Sequence, residues 1–246
     1  MRTNVAALSR RLGETLDLPR AFVSSLADSA RSRQRFDDVE AYCMFIGYSR
    51  SGHSLLGSLV DAHPDAVIAH ELDALRLFHL GFRKSQVYSL ILERERQYAL
   101  GEREKAGRYD YAVPGQWQGR YRQLRVIGDK KGGRSTRRLG SDPDLLDRVR
   151  RILGTSLRII HVVRNPYDNI ATMYQRRNAP LDRRVDYYFS LCRTVSELKQ
   201  RLEVSEVIDV RHEDVVSHPA AELTRLGSFL DLDISSDYVE DCASIL

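Results

Sequence analysis

Residues 47–54 read Gly-Tyr-Ser-Arg-Ser-Gly-His-Ser. This is the G-x-x-x-x-G-K-[ST] spacing of a phosphate-binding loop, with His53 where the lysine would stand. Set between a strand and a helix, such a loop gathers backbone N–H groups and the positive end of a helix dipole around one point. Ser51 and Ser54 add hydroxyl donors, and Arg50 adds a permanent, fork-shaped cation. The chemistry is oxyanion binding. Hydrolysis of a nucleoside triphosphate would also need the missing lysine and an acidic residue that holds magnesium at another strand end. The apolar run 157–163 ends in Arg164, not Asp, and Asp129 is a poor stand-in. Arg164 and Thr172, eight residues later, are spaced to grip a second phosphate from two directions; the competing reading pairs Arg164 with a carboxylate such as Asp168.

These groups need a scaffold that brings them to one edge. The apolar run 41–48 ends at the loop as a buried parallel strand would, and 54–62 follows as a helix that stops before His63-Pro64. Residues 66–71 read as a second strand, 72–103 as mostly helical, 109–117 as strand and loop, and 121–129 as a strand. A helix from Asp142-Pro143, the strand 157–163, a helix from Pro166, a long helix over 181–203, a strand at 206–210 and helices over 220–230 and 237–245 complete the order. Strand and helix alternate throughout. The expectation is a single three-layer α/β domain over 41–246, a mainly parallel sheet flanked by helices. Residues 1–40 form a helical extension of two short helices broken at Pro19.

The 246 residues suffice for one domain with a sizeable core, and 42% apolar against 29% charged residues is ordinary for a soluble protein. A net charge of +4 is too small to argue for nucleic acid, but basic residues crowd 129–138 and 174–177, which suits a small, highly anionic ligand. No run is long enough to span a bilayer, and no secretory leader is evident at the start. Three scattered cysteines, Cys43, Cys192 and Cys242, read as reduced residues, so the expected compartment is the cytoplasm. No Cys/His cluster has metal-ligand spacing, and no metal is expected.

Three quoted segments together have a family likeness. FIGYSRSGHSLLGSLVDAHPDAVIAHE, then LRIIHVVRNPYDNIAT, then VIDVRHEDVVSHPAAELTRLGSFLDLD resemble the sulfotransferases that use 3′-phosphoadenosine-5′-phosphosulfate. The resemblance covers most of 41–244 in order and implies a P-loop sulfotransferase fold. It implies that Arg50, Ser51, Gly52, His53, Ser54 and Leu55 hold the 5′-phosphosulfate, and that Arg164 and Thr172 hold the 3′-phosphate. His53 replaces a threonine of the family pattern, an imidazole N–H being able to donate the same hydrogen bond. His212 replaces a tyrosine.

Sulfuryl transfer is an in-line displacement that needs an activated acceptor and stabilised leaving charge, which cations and backbone N–H groups can supply without a metal. For the base, the end of the second strand offers His70 and Glu71. The resemblance favours Glu71, whose pKa neighbouring phosphates would raise; the alternative is a carboxylate serving the dipole of the next helix. Lys130, with Lys131 as its competitor, resembles the family lysine near the bridging oxygen, against a reading of both as surface lysines. The expected acceptor is a small molecule, carbohydrate or lipid, with the oligomeric state open. Two rivals stand: a nucleotide kinase or NTPase with an aberrant loop, and a catalytically silent nucleotide-binding relative.

Overall fold

A strand covered on both faces is apolar without interruption because neither side meets water, and Ala41–Gly47 (β1) is buried at every position. The structure is a computed structural model that describes residues 18–19, 21–22, 25–26, 36–102, 111–176 and 179–246. Successive side chains of β1 enter two different cores. Tyr42, Met44 and Ile46 join Leu157 and Ile159 on one face; Cys43 and Phe45 join Ile160 and Val162 on the other.

After β1 come α1 (His53–Asp61), β2 (Ala66–His70), α2 (Ala74–His79) and α3 (Lys84–Gln97), with a π-helical turn at Tyr98–Glu102. β3 (Val126–Lys130), α4 (Gly132–Ser141), α5 (Leu145–Leu153), β4 (Ser156–Val163), α6 (Pro166–Arg176) and α7 (Leu181–Lys199) follow. The chain then runs through β5 (Val207–Arg211), α8 (His212–Ser217), α9 (Pro219–Leu230) and α10 (Ser236–Ala243). All four strand pairings are parallel, in the order β2-β3-β1-β4-β5.

This order decides where a ligand can bind. From β1 the chain goes to the far edge and back to β3, then crosses β1 to reach β4. Connections therefore diverge at the C-terminal end of β1 and leave a crevice there, the usual ligand site of open α/β sheets. Residues of α3, α4, α5 and α7 belong to the core on one face, and residues of α1, α9 and α10 to the core on the other, giving the three layers the alternation predicts.

Two local expectations need correction. No strand forms within the described part of 109–117. That segment instead lies across the end of α1: Trp117 N–H donates to the Ala62 carbonyl at 3.1 Å and Gln118 Nε2 to the Ser58 carbonyl at 3.0 Å. Pro19, read as a breaker, is itself helical, as are Leu18, Ala21, Phe22, Ser25 and Leu26; the rest of the two helices expected in 1–40 lies outside the described residues.

Candidate active site

The loop after β1 turns through three left-handed residues: Gly47 at φ 124°, Arg50 at 73° and Gly52 at 100°. Glycine is needed at 52, because a Cβ there would sit 2.5 Å from Nδ1 of His212 as well as in a conformation that L-residues avoid. Gly52 is also the N-cap of α1 and brings no side chain to cap it. The first-turn N–H groups of His53, Ser54 and Leu55 therefore face the crevice without a side-chain acceptor. From across the crevice, α4 pins the start of the loop: Gly47 N–H donates to Thr136 Oγ1 at 2.8 Å.

His53 turns inward. Its Nε2 lies 3.0 Å from the Ile46 carbonyl, which can only accept, so this nitrogen carries the proton. Nδ1 lies 3.0 Å from Ser51 Oγ, and that single hydroxyl is also 2.9 Å from the Tyr48 carbonyl. In this arrangement Nε2 is taken by the Ile46 carbonyl, and Nδ1 faces the Ser51 hydroxyl, whose one proton serves either Nδ1 or the Tyr48 carbonyl. The ring fills the space beside α4 so fully that a Cβ on Gly132 would collide with it.

Burial is the main cause that lowers the His53 pKa from 6.5 to about 4. A depressed folded-state value means that the unfolded chain takes up the proton first as the pH falls, so stability is lost below about pH 6.5. Between pH 7 and pH 5 this group should remove about 2 kcal/mol of stability. Urea unfolding of wild type and His53→Gln at both pH values checks it. A wild-type slope no steeper than the variant's would contradict the buried, neutral imidazole.

At the end of β2 two more non-glycine residues adopt left-handed backbone, Glu71 at φ 59° and Asp73 at 66°. The restraint comes from the neighbouring strand: the buried Asp129 carboxylate accepts Leu72 N–H at 2.9 Å and Ala74 N–H at 2.8 Å. Both oxygens of Asp129 are therefore engaged with backbone, which removes it as a stand-in magnesium ligand. Burial, opposed by those two hydrogen bonds, raises its carboxyl to about 6.

Glu71, held in this bend, meets two lysines. Its Oε1 is 3.2 Å from Lys130 Nζ and its Oε2 is 2.8 Å from Lys131 Nζ. Lys130 also donates to Ser54 Oγ at 2.9 Å, which ties the β2 and β3 ends to the loop. The Lys130 side chain is only 3% exposed, and its stem occupies room that a side chain at Gly57 would take. Burial lowers the Lys130 pKa and Glu71 opposes that shift. For Glu71 burial favours the neutral acid, but the two ammonium groups outweigh it and hold the carboxyl well below the usual range. The alternative reading of Lys130 and Lys131 as plain surface lysines does not describe this cluster.

Arg164 lies on the other side of the loop, its Nη1 donating to the Arg50 carbonyl at 3.2 Å. It makes no ion pair with Asp168. Thr172, on α6, donates its hydroxyl to the Asp168 carbonyl at 2.7 Å. α6 begins at Pro166 because Asn165 Oδ1 accepts Tyr167 N–H at 2.9 Å, while Asn165 N–H donates to Glu213 of α8 at 2.7 Å. His70 is placed apart, its ring stacked on Tyr98 with centroids 4.1 Å apart. Sequence reasoning missed His212 as a loop contact and Asp129 as the clamp behind Glu71. The signal for His212 was its place in the third quoted segment.

A family model described as the sulfotransferase family matches residues 44–236. The chain belongs to the sulfotransferase family. The matched span takes in the loop, Glu71, both lysines and Arg164, and it sets aside the kinase and NTPase reading. Among solved structures, the sulfotransferase domain from the Synechococcus PCC 7002 olefin synthase has a TM-score of 0.50 at 19% identity, over 82% of this chain and 77% of that one. The sulfotransferase domain from the curacin biosynthetic pathway gives 0.53 at 17%, over 82% and 77%. Sulfotransferase STF1 from Mycobacterium tuberculosis H37Rv gives 0.53 at 10%, over 89% and 75%. At these identities the likeness is one of fold. No curated protein matches the chain. Among the described residues of this sulfotransferase, no helix is long and apolar enough to cross a membrane.

Proposed function

We propose that this sulfotransferase takes its sulfuryl group from 3′-phosphoadenosine-5′-phosphosulfate and passes it to a hydroxyl of a small-molecule or carbohydrate acceptor. The observation that carries this reading is a nest with cations on both sides. The uncapped amides of α1 lie between Lys130, joined to Ser54, and Arg164, joined to the Arg50 carbonyl. The residues fit a ligand with two separated anionic ends: Arg50 and the N–H groups of residues 51–55 for the phosphosulfate, Arg164 and Thr172 for the 3′-phosphate.

When bound, the nucleotide would supply the sulfuryl group and a phosphate as leaving group. Lys130, held at the rim of the nest, stabilises negative charge on the leaving oxygen. Glu71 accepts the proton of the acceptor hydroxyl. Its two lysine partners depress its basicity in this arrangement; whenever they turn to phosphate oxygens, that restraint lifts and its proton affinity rises. The acceptor oxygen forms its bond to sulfur as the bridging S–O bond breaks, and the electron pair leaves with the phosphate.

The test is thermal stabilisation by adenosine 3′,5′-bisphosphate compared with magnesium-ATP. At about 100 times its dissociation constant the bisphosphate should add about 2.7 kcal/mol, and Arg164→Ala should lose most of that gain. A larger response to magnesium-ATP, or none to the bisphosphate, would sink the assignment.

A further inference from the structure

β2 is an edge strand, paired with β3 from Ala66 against Val126 to His70 against Lys130. An edge leaves backbone N–H and C=O groups without a ladder partner, and those that are covered need one from elsewhere. At the last residue of β2 the partners come from α3. His70 N–H donates to Glu95 Oε2 at 2.8 Å, and Arg94 Nε donates to the His70 carbonyl at 3.2 Å. Two adjacent side chains thus supply one acceptor and one donor, as a neighbouring strand would. Both grips are on backbone, so they do not depend on the side chain at 70.

Glu95 is only 1% exposed, and a carboxyl group is seldom buried so fully. Its surroundings tie it to the candidate active site. His70, Glu95, Tyr98 and Lys130 meet around a cavity of about 10 Å³, room for about one water. The end of β2 therefore has little freedom to slide against Lys130.

Glu71 follows directly and leaves the strand in left-handed backbone. A non-glycine residue keeps that conformation only where its surroundings over-determine it. Asp129 acts after Glu71, on the amides of Leu72 and Ala74; Glu95 acts before it. Between these two holds the Glu71 carboxylate meets Lys130 at 3.2 Å and Lys131 at 2.8 Å. We infer that Glu95 is a positioning residue for this cluster: it holds residue 70, and through it sets Glu71 against the two lysines. What this does for turnover rests on the proposed role of Glu71 as base; the positioning itself does not.

The experiment is an NMR titration of the Glu71 side-chain carboxyl in the whole chain without nucleotide, its signal assigned by its loss in Glu71→Gln. In wild type the midpoint should lie below the ordinary carboxyl value of about 4.3, because both ammonium groups favour the ionised form. Glu95→Met keeps the side-chain length but removes the acceptor. It should raise the midpoint by about one unit or more, about tenfold in proton affinity, as Glu71 loses its fixed approach to the lysines. Glu95→Gln retains an acceptor oxygen for His70 N–H and should stay near wild type. A purely structural role would lower the unfolding midpoint of Glu95→Met and leave the Glu71 titration of its folded state unmoved; that result overturns the inference. So does a glutamine variant displaced as far as the methionine one. If Glu95→Met does not fold, Arg94→Met, which removes the donor to the His70 carbonyl, is read in its place. Its midpoint should move the same way, and no movement there overturns the inference too. Donor turnover of the same variants is measured separately: a displaced titration with unchanged turnover supports the positioning and removes Glu71 as the base.

Discussion

Glu71→Gln is expected to lower turnover of the sulfuryl donor by about 10²–10⁴-fold, the usual loss when a general base is removed. Nucleotide binding should not weaken. In the structure the carboxylate neutralises Lys130 and Lys131, at 3.2 and 2.8 Å; an amide at 71 releases both cations, so affinity for a polyanion should hold or improve. A fall in turnover with an unchanged or lower donor KM is therefore the signature of the base. The rival reading, a carboxylate serving the dipole of the next helix, places its charge poorly. The N-cap of α2 is Asp73, and Glu71 lies two residues before it. That reading predicts a small loss of stability and normal turnover, and such an outcome would remove Glu71 as the base. His70→Gln is the companion experiment: with its ring stacked on Tyr98, turnover should persist.

The second large effect is expected at Asp129. Asp129→Ala leaves the buried N–H groups of Leu72 and Ala74 without acceptors and frees the two left-handed residues on either side of Leu72. Orphaned buried donors cost about 1–3 kcal/mol each, so a loss of about 2–4 kcal/mol is expected in urea unfolding. Turnover should fall with it, because Glu71 no longer has a fixed backbone. The pH dependence has a definite sign. Burial raises the Asp129 carboxyl to about 6, above its value in the unfolded chain, so its titration removes stability as the pH rises from about 4 to 6. The advantage of wild type over the alanine variant should shrink across that window. A difference that grew with pH there would mean that the carboxylate is ionised more easily in the fold than outside it.

Much of this could be read in the residues because strands buried on both faces are apolar runs. AYCMFIG and LRIIHVV announce β1 and β4 and so fix the crevice edge on which the loop and Arg164 meet. What escaped reading has a common cause. α4 opens with Gly132-Gly133, which by type signals a turn, and its arginines suggested only a basic stretch. The glycines are there because α4 abuts the loop: a Cβ on Gly133 would come within 3.0 Å of Ser49 Oγ, and one on Gly132 would strike His53. Close packing between elements distant in sequence leaves no local periodicity. The same holds for Asp129, which reads in the sequence only as a poor stand-in for a magnesium ligand and is in fact a clamp for two amides. Likewise 111–117 has strand-like residues, but the end of α1 supplies its partners.

The contact of His53 with Gly132 couples the two positions unequally. The two residues share one volume, so a change at 132 depends on what stands at 53. A bulkier residue at 132 is barred while the imidazole remains, and a threonine at 53 would leave a hollow that only a larger neighbour could fill. The order of substitution then matters: the step at 53 has to come first, through a less stable intermediate, before the step at 132 becomes tolerable. The imidazole thus decides what α4 can carry at its start, while α4 sets no steric bar to a smaller residue at 53.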